Sequence, residues 1–356
     1  MLQTLRYTKT LPFCIGLLVG IVLCGVGVWF LPHTSAASAD RGSILREHDP
    51  QYTLVSPLLA AEVGSETSFP ELSSVKGAVG AVIAQAVAAG DAQDVSVYYR
   101  LLNSARWFEI NGDTKYAPAS LLKVFVMVAY YVESEHSGGE GLLEKRIRFE
   151  GSANPTADTP GEVIPHLVSG KYYTVEQVID QMIRYSDNDA LTTLTDNLDP
   201  GTLAALNQIF TDLKIPNPSN EGTKVTDFLS VEQYSLIFRV LFSTTYLTPA
   251  DSQRALDLLS RAQYTLGLVA GVPPGIVVAH KFGDTTDPAT ATSPAMPELH
   301  DCGIVYYPDH PYLLCVMTRG SSFASLQALI QKISTTTYQQ TLAHCPASTS
   351  TSCFPR

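Results

Sequence analysis

Hydrophobic and polar spacing divides the chain into three stretches of different character. In the first, an Ala- and Val-rich run over 75–89 predicts a helix closed by Gly90. Loose alternation over 95–102, followed across a short polar link by 106–110, predicts a hairpin. The run YAPASLLKVFVMVAYY over 116–131 then predicts a helix buried on most faces. A segment rich in Gly, Pro and polar residues, 137–170, reads as mostly loop. The second stretch is helical throughout, with apolar residues three and four apart over 174–184, 188–198, 202–213, 230–243 and 249–263. After Pro273, Pro274 and Gly275 the pattern turns to strand, over 276–281, 300–307 and 312–318, with residues 308–311 as the turn between the last two. A helix over 323–342 closes the chain. Strands near both ends of the sequence around a helical middle imply an α/β (α+β) fold: one antiparallel sheet assembled from distant segments and flanked by helices, with an inserted all-α subdomain. No internal repeat is evident.

Composition narrows the class. At 356 residues and 45% hydrophobic content the chain can bury a large core, and 16% charged residues argues against disorder. The net charge of −11, with no basic run to offset it, disfavours nucleic acid and anionic membrane surfaces as partners. Residues 11–31 are nearly free of charge, follow Arg6 and Lys9, and precede the next basic residue, Arg41, apart from His33. This predicts a membrane span with a cytoplasmic N-terminus, so that 1–31 is tip and anchor, 32–73 a Ser-, Thr-, Ala- and Pro-rich stem, 74–343 the main folded domain and 344–356 a tail. The alternative is a cleaved signal and a secreted chain, since Ala37, Ser38 and Ala39 resemble a signal-peptidase site; the length of the apolar run favours the anchor. A lipoprotein site at Cys24 fits less well, because Leu23 is large and the apolar run continues. Within the stem, 52–59 is apolar enough to dock on the domain.

The six cysteines form no metal-binding pattern, and no metal or cofactor is expected. If Asp309 and His310 centre their turn, Tyr307 faces Tyr312 and Cys302 lies diagonal to Cys315, a poor geometry for a disulfide. Cys345 and Cys353 are therefore the expected bridge.

Three short motifs carry candidate chemistry. Ser120 and Lys123 stand three apart on the buried helix, which stacks a hydroxyl on an amine where water is scarce. Alone such a pair is weak, since about one per chain of this length arises by chance; Ser73 and Lys76 form another. Ser186, Asp187 and Asn188 follow, and then Lys281, Phe282 and Gly283 on a predicted strand. Read for structure alone, Ser120 is a first-turn residue, Ser186 or Asp187 a helix cap, and Lys281 edge protection.

In that order the three elements resemble the signature of the class A β-lactamase and penicillin-binding protein family, S-x-x-K, S-D-N and K-T-G. The resemblance covers roughly 74–343. It implies a five-stranded antiparallel sheet with a helical insert and an acyl-enzyme on Ser120. Lys123 and Ser186 would move protons, and Asn188 would hold the acyl side chain. Lys281 would face the cleft and attract a substrate carboxylate, and Gly283 would let the backbone come close. The oxyanion hole would be the N–H groups of Ser120 and Asp284. Asp187 would pin its loop.

Two departures stand out. Phe282 occupies the place of a hydroxyl, which His280 or His300 would have to replace. No Glu followed by Leu-Asn follows the second motif; Glu221, in the matching region 215–228, is the one candidate deacylation base and reads better as a turn residue before Gly222. Together with the N-terminal span, which places the domain in an extracytoplasmic position outside the membrane it is anchored to, the resemblance implies a monomeric hydrolase of β-lactams with slow deacylation. The alternatives are a D,D-peptidase acting on D-alanyl cell-wall peptides and a sensor or scaffold that binds without turnover.

Overall fold

A computed structural model describes residues 44–46, 51–56, 58–61, 69–138, 141–152, 165–217, 226–287 and 296–345. The expected membrane span, most of the stem, Glu221 and Cys353 lie outside them. After two short paired strands, β1 (Ile44–Arg46) and β2 (Leu58–Ala61), helix α1 (Ser73–Ala89) ends at Gly90, whose φ of 78° is the left-handed conformation that glycine adopts without steric cost. Strands β3 (Ala92–Leu101) and β4 (Trp107–Ile110) form the expected hairpin. The run after them does not start as a helix at 116: a 3-10 turn (Ala119–Leu122) leads into α2 (Lys123–His136). Strands β5 (Arg146–Arg148) and β6 (Tyr172–Thr174) pair within and just beyond the segment read as loop.

The helical block is α3 (Val175–Arg184), α4 (Asn188–Asp196), α5 (Pro200–Asp212), α6 (Val231–Phe242) and α7 (Pro249–Ser260). Each opens on a residue that caps free N–H groups: Thr174, Asp187, Asp199, Ser230 and Thr248. Strands β7 (Val278–Asp287), β8 (Met296–Val305) and β9 (Tyr312–Gly320) and helix α8 (Phe323–His344) complete the fold. The main sheet is five-stranded and antiparallel, in the order β4-β3-β9-β8-β7. Helices α1 and α8 cover one face and the helical block, led by α2, the other. By length and composition alone, Pro70–Ala89 is apolar enough to cross a membrane, with a mean hydropathy of 1.5. Here its residues Val75, Val79 and Ile83 are buried with α8 and the sheet.

The stem residues 52–56 dock as their composition predicts: Val55 is buried, Leu54 N–H donates to Gln253 Oε1 at 2.7 Å, and Ser56 N–H donates to Phe242 O at 2.8 Å. The cysteine expectation needs correction. Val305, not Tyr307, faces Tyr312, so Cys302 lies directly opposite Cys315 and the two form a disulfide with Cα atoms 3.9 Å apart. The strands end earlier than expected because Tyr306 N–H bonds across to Val277 O, leaving Tyr307–His310 to close a turn through a 3.0 Å bond from His310 N–H to Tyr307 O. Cys345 is also disulfide-bonded, and its expected partner Cys353 lies outside the described residues.

Candidate active site

Three segments converge at the middle of β7. The first is the turn carrying Ser120. Tyr116 bridges to Leu229, Ala119 takes a φ of 47°, and Leu121 N–H donates to Pro118 O at 3.0 Å. A left-handed alanine costs about 1–2 kcal/mol, so the surroundings must hold this turn in place. They do so through Ala117. Its N–H donates to Glu298 Oε2 at 3.0 Å, and its carbonyl accepts from His300 Nε2 at 3.0 Å. Thr318 N–H donates to His300 Nδ1, which leaves Nε2 to carry the ring proton. Arg319 ties Glu298 to Asp94 and Asp227 and lies over the Tyr116 ring. Burial pushes the Glu298 carboxyl up, but His300 and Arg319 outweigh it and hold it below its usual range.

Ser120 is half-buried and Lys123 fully buried beneath it. Lys123 Nζ donates to Ser120 Oγ at 2.9 Å, to Asn188 Oδ1 at 2.7 Å and to Ser186 O, with Ser186 Oγ at 3.4 Å. Burial lowers its pKa to about 8, against the opposing pull of Asp187 and Asp284. An amine in that range is neutral in a useful fraction of molecules near neutral pH and can then take a proton.

The second segment is held by Asp187. Its Oδ1 accepts from the N–H groups of Asp189 (2.7 Å) and Ala190 (3.2 Å), and its Oδ2 from Gln181 Nε2 (2.9 Å). The buried carboxylate is consumed by the helix start, so its neighbours Ser186 and Asn188 are the ones that reach Lys123. Ser186 itself has a φ of 56°.

The third segment is β7, which runs three residues beyond the Asp284 position rather than ending near Lys281. A Cβ on Gly283 would sit 3.1 Å from Leu121 N, from Leu121 Cγ and from Pro118 O, so a side chain there would press the strand a few tenths of an ångström away from the Ser120 turn. Lys281 is buried rather than open to the cleft: its Nζ donates to Ser186 Oγ and to Phe282 O, both at 2.8 Å. Burial, with the neighbouring Lys123 charge, pushes its pKa well down. Ser120, Lys123, Ser186 and Lys281 thus form one continuous row of hydrogen-bonding groups.

Glu221 lies outside the described residues, and among these no carboxylate hydrogen-bonds to Ser120 or Lys123. Nor do the described residues contain a group of His, Cys, Asp or Glu able to hold a metal. His280 and His300 do not replace a hydroxyl at Phe282: His280 pairs with buried Asp301 at 2.7 Å, and His300 serves Ala117. The Ala117 clamp escaped the sequence reading. The available signal was charge at alternate positions, Glu298 and His300, beside Asp301 in a strand otherwise free of charge.

A family model described as the beta-lactamase enzyme family matches residues 79–341. Among solved structures, an acyl-enzyme complex of a PBP-A mutant with penicillin-G is 20% identical, covering 74% of this chain and 96% of that one, with a TM-score of 0.58. A beta-lactamase from Sphaerobacter thermophilus is 22% identical (76% and 97% covered, TM-score 0.60). One from Chitinophaga pinensis is 19% identical (75% and 99% covered, TM-score 0.60). At these identities the likeness shows the fold. No curated protein matches the sequence.

Proposed function

The chain belongs to the beta-lactamase enzyme family, and from that premise we propose that it is a serine hydrolase opening β-lactam amides through an acyl-enzyme on Ser120. The observation that carries this reading is the row Ser120, Lys123, Ser186 and Lys281, linked by hydrogen bonds of 2.9, 3.4 and 2.8 Å. In the proposed reaction Ser120 Oγ attacks the lactam carbonyl while neutral Lys123 takes its proton. The N–H groups of Ser120 and Asp284 receive the developing oxyanion. The C–N bond then breaks, and the proton passes from Lys123 through the Ser186 hydroxyl to the leaving nitrogen, with Lys281 holding that hydroxyl in line. Exposed Asn188 contacts the acyl side chain. Water then releases the acyl group slowly, since Glu221 before Gly222 reads as a solvated turn residue and not as a poised base. A D,D-peptidase would use the same residues on a D-alanyl peptide.

The protein is proposed to be anchored by residues 11–31 with its domain outside the cytoplasm. The Cys302–Cys315 disulfide supports this, because such bonds persist in oxidising compartments.

Mass spectrometry of the purified protein after exposure to penicillin derivatives tests the nucleophile. The expected result is a stoichiometric adduct on the wild type and on Ser73→Ala, and none on Ser120→Ala. An equal adduct on Ser120→Ala would sink the assignment. Burst kinetics test release: one fast turnover and a slow steady rate are expected, little changed in Glu221→Gln.

A further inference from the structure

Strand β7 is the outer strand of the sheet, and at Gly283 it lies against the Ser120 turn. A substrate whose carbonyl reaches Ser120 therefore lies along the free edge of β7, and meets what stands there. On one side of the edge is Lys281. A lysine ammonium has three N–H directions. Two end on Ser186 Oγ and Phe282 O, and the Phe282 ring lies over the nitrogen, its centroid 4.3 Å away. A carboxylate would have to displace that ring to reach the third, and none of the residue is exposed. Phe282 is itself held down by Tyr264, whose ring stacks on it with centroids 4.1 Å apart and an interplanar angle of 20°.

The other side of the edge carries Asp284. It is exposed, follows Gly283 directly, and has no hydrogen-bond or ion-pair partner among the described residues. Its field reaches both Lys123 and Lys281. Strand alternation puts Asp284 on the same side as Phe282, about 7 Å along the chain. The free edge beside the Ser120 turn thus carries an aromatic pair and a bare carboxylate on the side of β7 opposite Lys281 and Gly283, while the Lys281 amine is covered. A carboxylate brought here meets like charge with no compensating donor; an ammonium meets an ion-pair partner and ring faces.

Resting on the acyl-enzyme reading above, we propose that Asp284 and the Tyr264–Phe282 pair select an acyl donor bearing a cationic amine, not a free carboxylate, beside the scissile amide. Asp284 is a specificity residue in this scheme, and Phe282 acts both as platform and as the cover that withholds Lys281.

The test compares rates of Ser120 acylation in the full chain by penicillin G, its neutral methyl ester and its cationic diethylaminoethyl ester, with an uncharged fluorophosphonate as a separate probe of the serine. The cationic ester should react about tenfold or more faster than the free acid, as expected for unit charges several ångströms apart near a protein surface. In Asp284→Asn that ratio should fall towards one, and in Phe282→Thr the free acid should gain relative to the methyl ester. A free acid that reacts at least as fast as the cationic ester, or a ratio unchanged in Asp284→Asn, overturns this proposal alone. Labelling by the fluorophosphonate but by no penicillin form overturns the β-lactam reading and this proposal with it, and leaves the nucleophile standing. No labelling of Ser120 by any probe removes all three.

Discussion

On one face of the main sheet Leu299, Val305, Leu314 and Val316 pack against α1 and α8 as a mainly apolar layer, interrupted by the buried Asp301–His280 pair. On the other face the same strands present Glu298, His300 and Cys302 towards the Ser120 turn, with Arg319 completing the charge pairs. Dispersion and desolvation hold the first face, and its contributions are many and small. The second face instead depends on a few buried groups that must all be paired, because a charge left alone in the interior costs several kcal/mol. The lesson is that the fold rests on both faces but the geometry of the Ser120 turn rests on one. Ala117, gripped at both its N–H and its carbonyl, is where that face acts on the chemistry.

Three measurements break or sharpen this contrast. Glu298→Ala should have the largest effect. It takes the acceptor from the Ala117 N–H and one of the carboxylates from Arg319, and a loss of about 3–5 kcal/mol in denaturant unfolding is expected together with slower acylation by the molecules that remain folded. A variant of wild-type stability and rate would show the clamp to be ornamental. Next, Ile330→Ala on α8 should cost about 2–4 kcal/mol by leaving a cavity, yet leave the acylation rate of folded protein unchanged. If acylation falls as much as in Glu298→Ala, the two faces are not separable.

The smallest effect is a pH limb. Lys123 must be neutral to take the proton, and burial lowers its pKa to about 8. Acylation should therefore fall about tenfold for each pH unit below that value and level off above it. A limb near 10, where an ordinary lysine titrates, would show that the amine is not desolvated in the working protein.

Much of this was legible in the sequence, and the rest was hidden for identifiable reasons. The hydrophobic periods gave the sheet and the helical insert, and the ordered motifs gave Ser120, Lys123, Ser186, Asn188 and Lys281, which the fold brings together. The register of β8 on β9 was misjudged by two residues. A shift of two leaves every side chain on its original face, so the apolar pattern is blind to it, although it decides whether Cys302 meets Cys315. The turn before α2 was also misread, since a run of Leu, Val and Phe does not announce that its first four residues wind more tightly. Glu298 and His300 were invisible as a clamp because their shared partner, Ala117, is distant in sequence. Burial of Lys281 beneath Phe282 depends on how one ring folds back over its neighbour, which spacing does not encode.

The strand order has a consequence for synthesis. Strand β3, near the start of the domain, pairs with β9, near its end, and the whole helical block is made between the two. As a chain emerges from the ribosome, Ser120 and Lys123 appear early, but β7, which lies against their turn, and β8, which grips it, come much later. A truncated product ending before β8 thus carries the proposed nucleophile without Glu298 or His300 to align it. The Ser120 turn is completed only in molecules whose translation is nearly finished.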